Sequence, residues 1–190
     1  MDPGTTMPEP SACARLPLRT ARLILRELDV DDAAFILSLL NDADFLRHIG
    51  DRGVHTLEQA RAYIVAGAMA SYRQHGFGLW AVRLAEAADC IGICGLIRRD
   101  TLEDVDIGYA FLPAWRGQGY ALEAAQACMA LARQDFGLRR VVAITALDNP
   151  ASARVLEKIG LRFERLIRVS GDAEELRLFA WNAGDALPDT

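Results

Sequence analysis

The stretch Pro113-Ala114-Trp115-Arg116-Gly117-Gln118-Gly119-Tyr120-Ala121 decides the fold of this chain. Before it, Val105 to Leu112 is apolar and β-prone and reads as a strand. After it, Tyr120 to Phe136 carries apolar residues nearly all round, with a polar stripe at Glu123, Gln126 and Arg133, and reads as a largely buried helix. A glycine-containing loop that opens a helix offers free backbone N–H groups and the positive end of the helix dipole. Such a junction is an anion site, with phosphate its usual occupant. No Gly-Lys-Ser/Thr follows, so a nucleotide P-loop is poorly supported.

Working downstream, Val141 to Ala146 is a β-branched, apolar run and reads as a buried strand. Asn149-Pro150 then makes a strong helix start, asparagine as N-cap and proline at the first helical position. The helix runs from Ala151 to Ile159 and stops at Gly160. Phe163 to Val169 and Glu175 to Trp181 read as a closing hairpin around Ser170-Gly171-Asp172.

Working upstream, Leu79 to Leu84 and Cys90 to Arg98 form a second hairpin, and Val105 to Leu112 follows as a third consecutive strand. Thr56 and Gln59 have capping-box spacing and start a helix that runs to about Gln74, ended by His75-Gly76. Leu23 to Leu28 is the first strand, and Ala33 to Leu40 is helical. The order is strand, two helices, three strands, helix, strand, helix, two strands. This is an α+β fold on a mixed sheet.

These residues carry a resemblance. Arg116, Gly119 and Ala121 fit the pattern arginine or glutamine, two residues, glycine, one residue, glycine or alanine of the GNAT acyltransferases. Asn149 and Ser152 before the Glu157-Lys158-Ile159-Gly160 helix end resemble the RimJ/RimL-like branch, which acetylates ribosomal-protein N-termini. The likeness runs from about Leu23 to about Trp181. It implies the GNAT acyl-CoA N-acyltransferase fold, with about seven strands flanked by about four helices. It implies acetyl-CoA as acetyl donor and a primary amine as acceptor. The best fit is a protein or peptide N-terminus. The alternatives are a small amine (aminoglycoside, polyamine or amino-acid derivative) and a non-catalytic acyl-CoA-binding module.

The resemblance also assigns residues. The backbone N–H groups of Gly117, Gln118, Gly119, Tyr120 and Ala121 would surround the pyrophosphate of coenzyme A, with Arg116 adding positive charge. Main-chain groups of Phe111 and Leu112, and the amide of Asn149, would hold the pantetheine arm. A backbone N–H near Gly108 or Tyr109 would polarise the thioester carbonyl. Ser152 would lie near the sulfur, because the position at which many relatives place a tyrosine is Leu156 here. Asp106 would be the general base. An ordinary aspartate, near pKa ~3.9, is too weak for that unless burial raises it. For Asp106, Asn149 and Ser152 the bland alternatives are an orienting or surface carboxylate, a plain N-cap and a solvated serine.

In a regular strand, Val105, Ile107, Tyr109 and Phe111 point to one face, and Asp106, Gly108, Ala110 and Leu112 to the other. The second set makes a floor of little bulk with room for a ligand. Phe45 to Gly53, with the first two helices, should border the acceptor.

The apolar and charged fractions are those of an ordinary soluble globular protein. The chain has 190 residues and a formal net charge of −5, which gives nucleic-acid binding no electrostatic support. One domain, 21–183, is expected between a loose lead-in, 1–20, and a short tail, 184–190. No apolar run reaches the ~18 residues of a membrane span, and the proline-rich start lacks the apolar core of a signal peptide. Cys13, Cys90, Cys94 and Cys128 lack metal-site spacing and read as small apolar residues in a reducing, cytoplasmic setting. No metal is expected, and the chain is expected to be a monomer or homodimer.

Overall fold

The computed structural model describes residues 16–169 and 174–185. Cys13 and the turn expected at Ser170 to Asp172 lie outside them. The described residues build one eight-stranded sheet. Its strands are β1 (Leu18–Arg19), β2 (Leu23–Glu27), β3 (Leu79–Leu84), β4 (Cys90–Ile97), β5 (Asp106–Phe111), β6 (Arg140–Ala146), β7 (Arg162–Ile167) and β8 (Leu176–Asn182), in the spatial order β1-β2-β3-β4-β5-β6-β8-β7. All neighbours are antiparallel except β5 and β6. The two-residue β1 is the strand that sequence patterning does not show; it is too short to carry a period.

The helical segments are α1 (Ala33–Leu40), α2 (Ala43–His48), α3 (Leu57–Ile64), α4 (Ala70–His75), α5 (Tyr120–Gln134) and α6 (Pro150–Lys158). The capping box forms as read: Thr56 Oγ1 accepts from the N–H of Gln59, and Gln59 Oε1 accepts from the N–H of Thr56. The helix it starts passes through a π-helical turn, Val65–Met69, before continuing as α4. Gly76, at φ 75°, ends it.

Strand alternation sorts the core into two layers. Leu23, Leu25, Trp80, Val82, Cys94, Ile107 and Phe111 pack with Ala124, Cys128 and Met129 of α5 and Leu156 of α6. Ala81 and Ile93, pointing the other way, pack with Ile36 and Leu39 of α1 and Ala60 and Ile64 of α3. Burial of a large aliphatic side chain contributes roughly 1.5–3 kcal/mol, so both faces of the central strands are firmly covered.

The consequence for the site lies between β5 and β6. β5 keeps a continuous register with β4 from Gly92↔Phe111 to Ile97↔Asp106. β6 keeps one with β8 from Arg140↔Asn182 to Ala146↔Leu176. Between themselves they pair only at Asp106↔Val142, beside the Val142 N–H to Val105 C=O bond of 2.9 Å. Each strand follows its outer neighbour, so the two diverge and leave a V-shaped gap toward their C-terminal ends.

Candidate active site

The gap presents backbone. The Val105 carbonyl faces β6, while the Leu112 N–H faces β4 and bonds to the Ile91 carbonyl at 2.9 Å. Strand groups alternate sides, so beyond the Asp106↔Val142 pair the N–H groups of Tyr109 and Phe111 face the gap. Leu112 therefore departs from its expected role: its N–H is used by β4, and its carbonyl accepts from the N–H of Trp115. The Phe111 carbonyl accepts from Arg116 Nε at 2.8 Å.

The expected floor is also filled. A Cβ on Gly108 would come within 2.9 Å of Ile97 Cδ1, and Ala110 and Leu112 pack into the layer under α1 and α3. The small residues make room for neighbouring side chains of the protein rather than for a ligand.

At the open end of the gap the loop turns into α5. Gly117 and Gly119 have φ of 74° and 84°, a region L-residues with side chains rarely adopt. Gly119 is the N-cap and provides no side-chain cap, so the first-turn N–H groups of α5 stay open to an anion. A Cβ on Gly117 would meet nothing within 4 Å, so the loop leaves space there for a ligand. The Gln118 side chain turns back to the Ala114 carbonyl at 2.8 Å.

Arg116 is not a free cation on this loop. Its guanidinium holds Asp42 and Asp44 at the start of α2, the latter at 2.5 Å. Burial of Asp42 opposes ionisation, but the hydrogen bond and charge of Arg116 together with the N–H groups of Phe45 and Asp44 outweigh it, so the carboxyl stays below the usual range. The cation that does lie against the loop is Arg22, at the start of β2. It bonds to Glu123 at 2.6 Å and to the Gln118 carbonyl at 3.1 Å, and its Nη2 is turned toward Gly119.

Asp106 sits at the apex of the V, 1 % exposed. Arg99 Nε donates to its Oδ2 at 2.5 Å, while Oδ1 has no hydrogen-bond partner among the described residues. Burial raises this carboxyl to about 6. The charge and hydrogen bond of Arg99 act against that rise, as does the nearby Ile144 N–H.

Across the gap, Asn149 Oδ1 accepts from the Ser152 N–H at 3.0 Å and caps α6. Its amide nitrogen is left to donate elsewhere. The Ser152 hydroxyl lies 2.9 Å from the hydroxyl of Tyr109, which is also 3.1 Å from the Ser152 carbonyl. Burial pushes the Tyr109 phenol up, so it is neutral. Tyr109 and Ser152 thus join β5 to α6 over one face of the V. Helix α2 closes the other: Arg116 ties its start to the β5 side, and Arg47 bonds to Asp148, beyond β6, at 2.8 Å.

The family model for the acetyltransferase (GNAT) domain matches residues 22–162. The chain belongs to the GNAT acetyltransferases. Among curated relatives of this GNAT enzyme, the uncharacterized protein YkkB of Bacillus subtilis is 30 % identical over 158 residues, covering 82 % of this chain and 90 % of YkkB. The uncharacterized N-acetyltransferase YoaA of the same organism is 28 % identical over 152 residues, covering 80 % of this chain and 85 % of its own. An acetyltransferase from Agrobacterium tumefaciens superposes with a TM-score of 0.74 at 25 % identity, over 96 % of this chain and 99 % of that one. RimL, a ribosomal L7/L12 alpha-N-protein acetyltransferase solved with coenzyme A, gives 0.74 at 19 % identity, over 88 % and 97 %. At that identity the likeness is one of fold alone.

Two groups of this candidate site escape sequence reading. Tyr109 is recognisable as facing α5 and α6, but nothing in the strand pattern names Ser152 as its partner. Arg22 lies between β1 and β2, far from the loop in sequence. Among the described residues, no cluster of three His, Cys, Asp or Glu side chains could hold a metal, and no helix is long and apolar enough to cross a membrane. A shallow cavity bordered by Glu27, Asp29 and Arg73 lies at the end of β2, three strands from β5, and is no part of this site.

Proposed function

We propose that this GNAT enzyme moves an acetyl group from acetyl-CoA to the α-amino group of a protein or peptide by direct attack on the thioester. The observation that carries the reading is the V between β5 and β6, with strand N–H groups facing in and an anion-binding loop at its open end. The pyrophosphate sits on the amides of Gly117 to Ala121, with Arg22 Nη2 beside Gly119; the Arg116 N–H is taken by the Pro113 carbonyl at 3.3 Å. The pantetheine arm lies along β5, on the Phe111 N–H and the Asn149 amide. The Tyr109 N–H stabilises the oxyanion formed as the amine adds to the carbonyl.

Asp106 accepts the amine proton through its unpartnered Oδ1, directly or by one water. Its elevation to about 6 supports the choice of acceptor. An α-amino group, pKa ~7.7–8, is partly neutral near neutrality, whereas a lysine-like amine, ~10.4, needs a much stronger base. The C–S bond then breaks, and the thiolate departs beside Ser152.

The test is thiol release from acetyl-CoA with short peptides bearing free Ala or Ser N-termini, polyamines and aminoglycosides as acceptors. Preference for the peptides supports the proposal. Turnover of the small amines alone overturns the acceptor, and coenzyme binding without turnover of any amine overturns the enzyme reading in favour of a binding module.

A further inference from the structure

We infer that Tyr109 is a positioning residue that acts through Ser152, orienting and polarising the serine hydroxyl as the hydrogen-bond donor to the sulfur leaving coenzyme A. The inference rests on the placement of acetyl-CoA proposed above.

The two hydroxyls hold two protons and offer three acceptors: the phenol oxygen, Ser152 Oγ and the Ser152 carbonyl. With the phenol 3.1 Å from the carbonyl and 2.9 Å from Oγ, its proton has two places to go. When it points to the carbonyl, the Ser152 proton is returned to the phenol oxygen. When it points to Oγ, the Ser152 proton is released toward the gap, and the serine oxygen that carries it is itself polarised. A negative sulfur arriving beside Ser152 selects the second arrangement. The site can therefore switch its donor toward the reaction only as charge develops, which favours the transition state over the bound thioester.

Neither hydroxyl serves as an acid in the strict sense. Burial pushes the Tyr109 phenol up, an alcohol is less acidic still, and a thiol has pKa near ~8.5. Transfer of a proton to the thiolate is uphill from either. The electron pair of the C–S bond goes to sulfur, which leaves as a thiolate held by a charge-assisted hydrogen bond and takes its proton from water afterwards. Leu156, 1 % exposed in the core, has no proton to offer.

The surroundings fix Tyr109 for this task. It is paired with Cys94 across β4 and β5, and its ring packs against the layer under α5 and α6. Among the described residues, the titratable group that acts on its phenol is the buried Cys94 thiol. Ser152 is held by the Asn149 cap on its own N–H. The pair spans 43 residues of sequence and links β5 to the first turn of α6.

The test is a titration of the thiol of coenzyme A bound to the protein, followed by the ultraviolet absorbance of the thiolate. In the parent protein the bound thiol should titrate about one pKa unit below free coenzyme A, the scale of one hydrogen bond to a charged group. Tyr109→Phe and Ser152→Ala should each lose most of that shift, and the double variant should lose no more than Ser152→Ala alone. A parent value equal to that of free coenzyme, an unshifted Tyr109→Phe, or additive losses in the double variant would each overturn the inference while leaving coenzyme binding intact. Absence of coenzyme binding by the parent protein would instead overturn the site itself. Should Tyr109→Phe fail to fold, a ring-fluorinated tyrosine incorporated in the parent chain strengthens the phenol donor and must lower the bound thiol further; no change refutes the role of Tyr109.

Discussion

Arg116 and Asp42 form an ion pair that binds the loop before α5 to the first turn of α2. The same guanidinium reaches Asp44 and the Phe111 carbonyl. Its charge is thus neutralised inside the protein, and its work is to hold α2 over the gap. Hydrogen bonds to charged groups contribute about 1.5–3 kcal/mol, less where exposed. Arg116→Met is expected to lower the unfolding free energy by about 1–3 kcal/mol in urea titrations. It should raise the KM for acetyl-CoA less than about tenfold. A larger rise with unchanged stability would make Arg116 a phosphate ligand.

At its other end α2 depends on Arg47 and Asp148, both well exposed. A six-residue helix cannot sustain itself without tertiary contacts. Asp148→Ala should leave the melting temperature nearly unchanged, because an exposed pair adds little to global stability. Hydrogen exchange followed by mass spectrometry should show faster exchange over Ala43–His48, with the rest of the chain unaltered.

Asp106 carries a pH signature with a definite sign. Burial raises its folded pKa to about 6, while in the unfolded chain it titrates near ~3.9. Between those values the folded state holds a proton that the unfolded state has lost. This group's contribution to stability therefore falls as pH rises from ~4 to about 6, then levels off. Asp106→Asn should remove that slope from thermal melts recorded across the acid range. As the proposed base, Asp106 should also produce a limb near 6 in the pH profile of kcat/KM. The asparagine variant should lack the limb and lose roughly 10²-fold or more in rate; persistence of the limb would move the base elsewhere.

Gly119 tests the phosphate site. Its φ of 84° costs a residue with a Cβ about 1–2 kcal/mol, and the surrounding space is open except for Arg22 Nη2 at 3.4 Å. Gly119→Val should fold with modestly reduced stability and show no calorimetric binding of coenzyme A. Normal binding by a folded variant would place the pyrophosphate away from this loop.

Much of the fold is legible in the chain because the deciding relations are short. The Thr56 and Gln59 box, the Asn149 cap with Pro150 and the Gly117 to Gly119 turn are settled within three or four residues by local hydrogen bonding and backbone geometry. The alternation of Val105 to Leu112 gives both faces of β5 correctly, because no bulge interrupts its register with β4. Where local pattern misleads, packing is the reason. The low bulk of Gly108 and Ala110 looks like room for a ligand, and Ile97 and the α1–α3 layer occupy it instead. Helix α2 lacks the length to announce itself.

By itself, then, the sequence determined the order of strands and helices, the anion-binding turn and the candidate groups Asp106, Asn149 and Ser152. Tertiary structure alone decided how those groups are used. It buried Asp106 against Arg99, turned Arg116 from a presumed phosphate ligand into an anchor 74 residues away on Asp42, and set Tyr109 on Ser152. The physical reason is that caps and turns depend on neighbours in the chain. The charge, protonation and partner of a side chain depend instead on what the fold brings beside it, and at the divergence of β5 and β6 those neighbours come from distant parts of the chain.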